Sequence, residues 1–391
     1  MLPAVSEHRP VEMVDLFAGP GGLDVAARWL GIETVGIEFD SNACATRAKA
    51  GLGTIQSDVT KRSPSEFRGA KILAGGPPCQ TYSVAGTGAG RERLEHILDL
   101  ARRMGASKCK DVEPELDGLD DIRTGLVLEP LKWALQAMRR GHAYETIILE
   151  QVPTVLPVWD TYAEILRGAG YFAKARVLSA EEYGVPQTRR RAILIARLKY
   201  PVVWPKKTHR KFTRGATPGI GEDGRRSWVS MQQALGRQDE FVVVSNYGTG
   251  GVPSARGKRR FDEPAYTVTG KVSRNRVVDS AGDYIAHISV PDAGRLQTFP
   301  QDYPWSGLDV SQQVGNAIPP RLAAHVLSVA VFGKQLSTDA LDAAVSSPWE
   351  VSKEGVSGLR PVKQPGPEDA ADPECAENRQ LALISDPLLT A

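Results

Sequence analysis

Short apolar runs alternate with amphipathic helical patterns from residue 11 to residue 200, and this alternation restricts the fold more than any other feature. VEMVDLF is followed by LDVAARWL, and TVGIEF by SNACATRAKA; KILAGG, TIILEQV and RAILIAR supply further strand patterns, with TYAEILRGAG as a helical one between the last two. Strands that alternate with helices predict an α/β fold, a doubly wound and mostly parallel sheet whose ligands sit at the carboxyl ends of the strands. Residues 201–285 break the pattern. They are rich in Gly, Pro and Arg, with short β-type runs such as FVVVSNYG and YTVTG, and predict a second, smaller domain. Residues 286–334 return to the first domain through LAAHVLSVAV, a stretch apolar enough to pack on it. From 335 to 391, Ser, Pro, Asp and Glu dominate, which predicts a disordered acidic tail.

A net charge of +2 conceals an asymmetry along the chain. Residues 201–280 hold fifteen Lys and Arg against seven Asp and Glu, whereas residues 335–391 hold four against ten. The basic segment interleaves aromatics and glycines with Lys206, Lys207, Arg210, Lys211, Arg214, Arg256, Lys258, Arg259, Arg260, Lys271, Arg274 and Arg276. A nucleic-acid backbone suits such a surface, because each neutralised phosphate releases counterions; a solvated basic face is the plain alternative. With 41% hydrophobic residues the chain can bury a large core. No apolar run approaches the ~18 residues of a membrane span, and no signal pattern opens the chain, so a cytoplasmic protein with no membrane contact is expected, as a monomer. Cys44, Cys79, Cys109 and Cys375 are far apart. Their spacing fits neither a zinc site nor a disulfide scaffold, and no metal is expected.

The strand ends carry the chemistry. DLFAGPGG places Phe17, Ala18, Gly19, Pro20, Gly21 and Gly22 between a strand and a helix, where glycines let a ligand approach backbone N–H groups. In GIEFD, Glu38 sits at a strand end suited to ribose hydroxyls, and Asp58 of SDV suits an exocyclic amine. Each could be only a turn or a helix cap; together they describe a nucleoside pocket, which a dinucleotide could also fill. GGPPCQTYS separates these possibilities. Two prolines end the strand KILAGG, so Cys79 stands at the pocket rim and not in a ladder. A thiolate there is a nucleophile. Glu150 and the set Gln187, Arg189 and Arg191 lie at the ends of later strands. Thiolate, acid and guanidinium suit addition to an electron-poor ring. A dehydrogenase has no need of them.

The ordered stretches DLFAGPGG, GIEFD, SDVT, GGPPCQTYSVAG, LEQV, PQTRRR, RLQTFP and QVGNAIPP, spanning about residues 13 to 330, resemble the cytosine-5 DNA methyltransferase family of bacterial or phage type. The resemblance implies the S-adenosylmethionine-dependent methyltransferase fold, with S-adenosylmethionine as cofactor and double-stranded DNA as partner. It implies that 201–285 recognises the target. Phe17 would stack on adenine, Glu38 would hold the ribose and Asp58 the adenine amine. Asn316 would close a pocket also formed by Ala18, Gly19, Pro20, Gly21, Gly22, Phe39, Val59 and Pro78. Catalysis would fall to Cys79, Glu150, Arg189 and Arg191, and substrate contacts to Gln80, Ser83 and Gln187.

Three features depart from that pattern. Gln151 stands where the family has Asn, and Asp292 where it has Glu. Residues 88–122 lengthen the loop after Cys79, and Leu94, Ile97, Leu98 and Ala101 fall there at helical spacing, as in a packed helix. Two other functions share these residues: RNA cytosine-5 methylation, as on transfer RNA, and silent DNA binding. An intact set of Cys79, Glu150 and PQTRRR argues against the silent reading.

Overall fold

The structure, a computed structural model, describes residues 11–78, 88–106, 125–245 and 256–349. Its centre is a seven-stranded sheet. In chain order the strands are β1 (Met13–Leu16), β2 (Thr34–Glu38), β3 (Thr54–Gln56), β4 (Ile72–Gly75), β5 (Thr146–Gln151), β6 (Phe172–Ser179) and β8 (Arg190–Arg197), with the short β7 (Gln187–Thr188) between the last two. The spatial order is β3-β2-β1-β4-β5-β8-β6. β1 to β5 are parallel, and β8 runs antiparallel between β5 and β6. Strand order reverses between β1 and β4, which opens a crevice at their carboxyl ends. β6 has no counterpart among the predicted strands. Its Lys174 and Arg176 alternate with buried Ala173 and half-buried Ala175 at the sheet edge, so it lacks an apolar run.

Side chains alternate across the sheet with period two. Val14, Leu16, Ile147 and Leu149 enter one apolar cluster, Met13 and Ile148 the other. Helices α1 (Gly22–Trp29) and α2 (Ser41–Lys49) follow β1 and β2. α3 (Gly88–Gly105), α4 (Glu129–Arg139) and α5 (Leu156–Gly168) bring Ile97, Trp133 and Trp159 to the first cluster. α3 is the packed helix expected in the insertion: Ile97, Leu98 and Ala101 are buried and Leu94 packs against them.

The second, smaller domain is β-rich as expected. After α6 (Met231–Leu235), strands β9 (Val242–Val244), β10 (Lys258–Arg260), β12 (Arg276–Val278) and β13 (Tyr284–His287) form an antiparallel sheet in the order β10-β9-β12-β13. β11 (Ala265–Tyr266) instead pairs with β7 and stitches this domain to the large one. α7 (Val290–Leu296) and α8 (Val310–Asn316) contribute Ala293, Leu296 and Val314 to its core, and α9 (Pro320–Leu327) returns to the large sheet beside α1.

The tail expectation needs correction over 335–349. There α10 (Thr338–Ser346), N-capped by Ser337, buries Leu341 and Ala344, and Trp349 is buried beyond it. A polar window hid Leu341 and Ala344, three residues apart on one helix face, and the single Trp349 after it. The rest of the tail, 350–391, lies outside the described residues.

Candidate active site

A cleft of about 720 Å³ lies where the strand order reverses, lined by the ends of β1, β2, β4 and β5 together with α8. Of the residues expected at a cofactor, Phe17, Ala18, Gly19, Pro20, Gly22, Glu38, Phe39, Asp58, Val59, Pro78 and Asn316 line it. Gly21 does not, but it shapes the loop: its φ is +104°, and a Cβ there would stand 2.4 Å from Leu52 Cδ1.

The Glu38 carboxylate organises the entrance. One oxygen accepts the Gly19 N–H at 2.7 Å, and the other accepts those of Phe39 and Asp40 at 2.8 and 2.7 Å. Asp58 caps the turn after it by accepting the Thr60 N–H at 2.9 Å. The bland reading of these acids as caps therefore holds alongside their place in the cleft. Phe17 adopts φ +60°, a backbone state that a bulky residue keeps only when its surroundings impose it, and the Phe39 ring is 75% exposed at the rim.

Below the loop, Arg47 is fully buried. It forms a forked pair with Asp24 at 2.6 and 3.1 Å, and Gly36 leaves it room, since a Cβ there would meet Arg47 Nη2 at 2.0 Å. Asp15 lines the cleft beside this pair. Burial, reinforced by the Asp24 charge, pushes its carboxyl well above the usual range.

At the other end of the cleft, Glu150 closes β5 and Arg191 projects from the adjoining β8, with Nε 2.6 Å from Glu150 Oε1. Both are almost fully enclosed. Glu150 also neighbours Gly76, where a Cβ would lie 3.4 Å from Oε2. Gln151 bridges the two strand ends: its Nε2 donates to Pro77 O at 2.7 Å and its Oε1 accepts the Val152 N–H at 2.5 Å. The longer amide thus still braces the turn that leads into Cys79. Cys79, Gln80 and Ser83 lie outside the described residues. Cys44 is a buried thiol held above its ordinary value by burial and by Glu38.

Two expected site residues do not reach the cleft. Arg189 is fully buried and donates to Val268 O at 2.7 Å, Gly315 O at 2.8 Å and Ala317 O at 3.0 Å. Gln187, equally buried, donates to Leu296 O and Gln297 Oε1 and accepts the Val268 N–H. Both fasten β11 and the α7–α8 segment to β7. Arg189 falls in the break between β7 and β8, whereas Arg191 lies within β8, so of the two arginines only Arg191 joins Glu150.

The model of the C-5 cytosine-specific DNA methylase family matches residues 11–108 and 145–331. The chain belongs to this family. The methylase is 25% identical to the Type II methyltransferase M.Eco47II of Escherichia coli over 80% of its own length and 77% of that protein's. It is 26% identical to M.NaeI of Lentzea aerocolonigenes, over 81% and 73%. Its fold matches the crystal structure of the S. pombe Dnmt2 methyltransferase with a TM-score of 0.56 at 15% identity, over 82% and 98% of the two chains. The resemblance in the sequence and the expected fold are both borne out: this is a DNA cytosine-5 methyltransferase, and its reaction takes a methyl donor. Asp15, Leu126, Gln151, Gln312 and Ile318 are cleft residues of the methylase that the sequence reading did not assign. Asp15 and Gln151 stood inside quoted motifs; Leu126 and Gln312 carried no signal in a single sequence.

Proposed function

We propose that the chain transfers a methyl group from S-adenosylmethionine to carbon 5 of a cytosine swung out of double-stranded DNA, with Cys79 as the covalent nucleophile. The observation that carries this reading is one cleft with a nucleoside-type lining at one end and the Glu150–Arg191 pair at the other, beside the turn that precedes Cys79. The cofactor end fits the donor. Around Gly19, at φ +54°, nothing lies within 4 Å of a would-be Cβ, while Glu38 and Asp58 present carboxylates and Phe17 and Phe39 present rings. Gly22, Pro20 and Asn316 complete its walls. Bound there, S-adenosylmethionine supplies an electrophilic methyl group.

The chain's own residues do the rest. The Cys79 thiolate adds to carbon 6, forming an S–C bond and moving the ring electron pair to carbon 5. Glu150 meets ring nitrogen 3 as this charge develops, and Arg191 holds Glu150 in place and stabilises the ring oxygen. Carbon 5 takes the methyl group, loses its proton to a base, and the S–C bond breaks. Because carbon 6 is inaccessible in a stacked duplex, the base must be extruded, at about a few kcal/mol.

Residues 201–285 serve as the target recognition domain. Arg259 lies between Phe212 and Tyr266, 4.4 and 4.6 Å from their ring centroids, and Arg210 lies over Trp228, so guanidinium groups are held at a basic surface. The names of its relatives favour a Type II modification role. Bisulfite sequencing of DNA from cells expressing the chain tests the reading: methylcytosine at one recurrent site is expected with the wild type and none with Cys79→Ala. Methylation by the C79A variant, or methylated transfer RNA with unmodified DNA, would refute it.

A further inference from the structure

The family match ends at residue 331, yet the chain goes on packing through Trp349. That indole reaches the glycine-rich loop through Tyr303. Its Nε1 donates to Ala50 O at 2.9 Å and its backbone N–H to Asp302 Oδ1 at 2.8 Å. The Arg28 guanidinium lies 4.6 Å from the ring centroid and itself donates to Gly51 O at 2.6 Å. The edge of Trp349 meets the ring of Tyr303 at 5.3 Å and 73°. Tyr303 is buried against Phe299 and Trp305, and its hydroxyl donates to Pro20 O.

Trp349 therefore joins α1 through Arg28, the end of α2 through Ala50, and the 299–305 turn through Tyr303, and the last of these reaches a carbonyl inside the loop that lines the cleft. That loop holds Phe17 in the left-handed region, at φ 60°, a strained state for a bulky residue, while Gly19 and Gly21 at 54° and 104° supply turns that only glycine takes freely. The Phe17 conformation persists only where contacts from outside fix the loop around it. The Tyr303 hydroxyl is one, and it also lies 3.1 Å from where a Gly21 Cβ would stand. Burial pushes the phenol's pKa upward, so it keeps the proton it donates. α10 anchors the device: Asp342 reaches the buried Arg321 at 2.5 Å, and Asp342 and Asp339 bind Arg226 at 3.0 and 2.6 Å.

We propose that Trp349 and Tyr303 are positioning residues for the methyl donor, holding the 17–22 loop in its binding shape from behind. This rests on the reading of the cleft as the S-adenosylmethionine site. The segment after 331 is then a strap that supports cofactor affinity, and neither residue touches cofactor or substrate.

The test uses the full chain with Tyr303→Phe, Trp349→Phe and Trp349→Ala. Each is measured for S-adenosylhomocysteine binding by calorimetry, for KM of S-adenosylmethionine and of DNA, for kcat, and for thermal midpoint. Y303F removes one hydrogen bond, and its Kd and cofactor KM should rise roughly threefold to tenfold, the size of one such bond, with kcat and the KM of DNA unmoved. W349A should show the same split with a larger rise, and W349F should recover part of it. A thermal midpoint that falls while cofactor Kd and KM stay at wild-type values, measured where each variant is folded, would overturn the proposal alone. A wild type that binds no S-adenosylhomocysteine would overturn the cofactor reading and the strap with it.

Discussion

The large sheet and the small domain use charge in opposite ways. At the strand ends of the large sheet, charged groups are enclosed and matched: Asp24 with Arg47, Glu150 with Arg191, and Arg189 with three backbone carbonyls. In the small domain they are exposed and paired locally, as in Asp223 with Arg225, Arg237 with Asp239 and Arg260 with Asp262, or else laid against aromatic rings. A buried charge that loses its partner keeps the whole desolvation cost, whereas an exposed one is rehydrated. The difference teaches where each kind of failure belongs. Substitutions in the sheet should stop chemistry or unfold the chain, and those in the small domain should weaken its hold on DNA while leaving the pocket intact.

The largest effect should come from Glu150→Gln. It removes the acid and leaves Arg191 enclosed without its counter-charge, so single-turnover methyl transfer should slow about 10²-fold or more while gel-shift affinity for DNA stays near wild type. Arg189→Ala should instead act on folding. Three buried carbonyls lose a donor, though Ala317 O keeps Gln297 Nε2 at 3.1 Å, at a total cost of about 2–3 kcal/mol or more, seen as a lower denaturation midpoint. A stable R189A protein with collapsed kcat would return Arg189 to the catalytic set and blur the comparison.

Next is pH. Burial, followed by the nearby Arg321 charge, lowers His209 to about 4 and His325 to about 3 from an ordinary 6.5. Both are neutral in the fold, so the unfolded chain binds more protons below pH 6.5, and their share of stability is lost as pH falls from there toward those values. The thermal midpoint should drop across this window, and H325Q should make the drop shallower. An unchanged slope would show that the buried histidine does not titrate against folding.

Arg259→Ala should weaken DNA binding severalfold and reduce the salt dependence of log K by about one ion, with cofactor affinity unmoved. A loss of cofactor affinity there would break the division between the two regions. Asp223→Asn, on a surface pair, should leave the thermal midpoint where it is.

The alternation of strand and helix made the sheet legible, because period-two and 3.6-residue patterns need nothing beyond local sequence. The cleft was legible for the same reason: Phe17, Glu38, Asp58 and Pro78 all sit at strand ends, and a parallel sheet gathers those ends at one edge. What escaped depends on partners far along the chain. Arg189 and Arg191 look alike in PQTRRR, and only the position of Val268 and Gly315 against one and Glu150 against the other separates them. Trp349 reads as one aromatic in a polar tail because its partners, Arg28, Ala50 and Tyr303, are tens to hundreds of residues away.

The proposed role of Cys79 as nucleophile is open to one direct measurement. Duplex DNA carrying 5-fluorocytosine at the methylated position is incubated with the chain and S-adenosylmethionine, denatured, digested and mapped by mass spectrometry. Fluorine cannot leave carbon 5 as a cation, so elimination fails and the sulfur stays bonded to carbon 6. The expected result is a denaturant-stable adduct on the peptide containing Cys79 that forms only with the methyl donor present. Normal turnover on the fluorinated site, or an adduct on Cys44, Cys109 or Cys375, would contradict it.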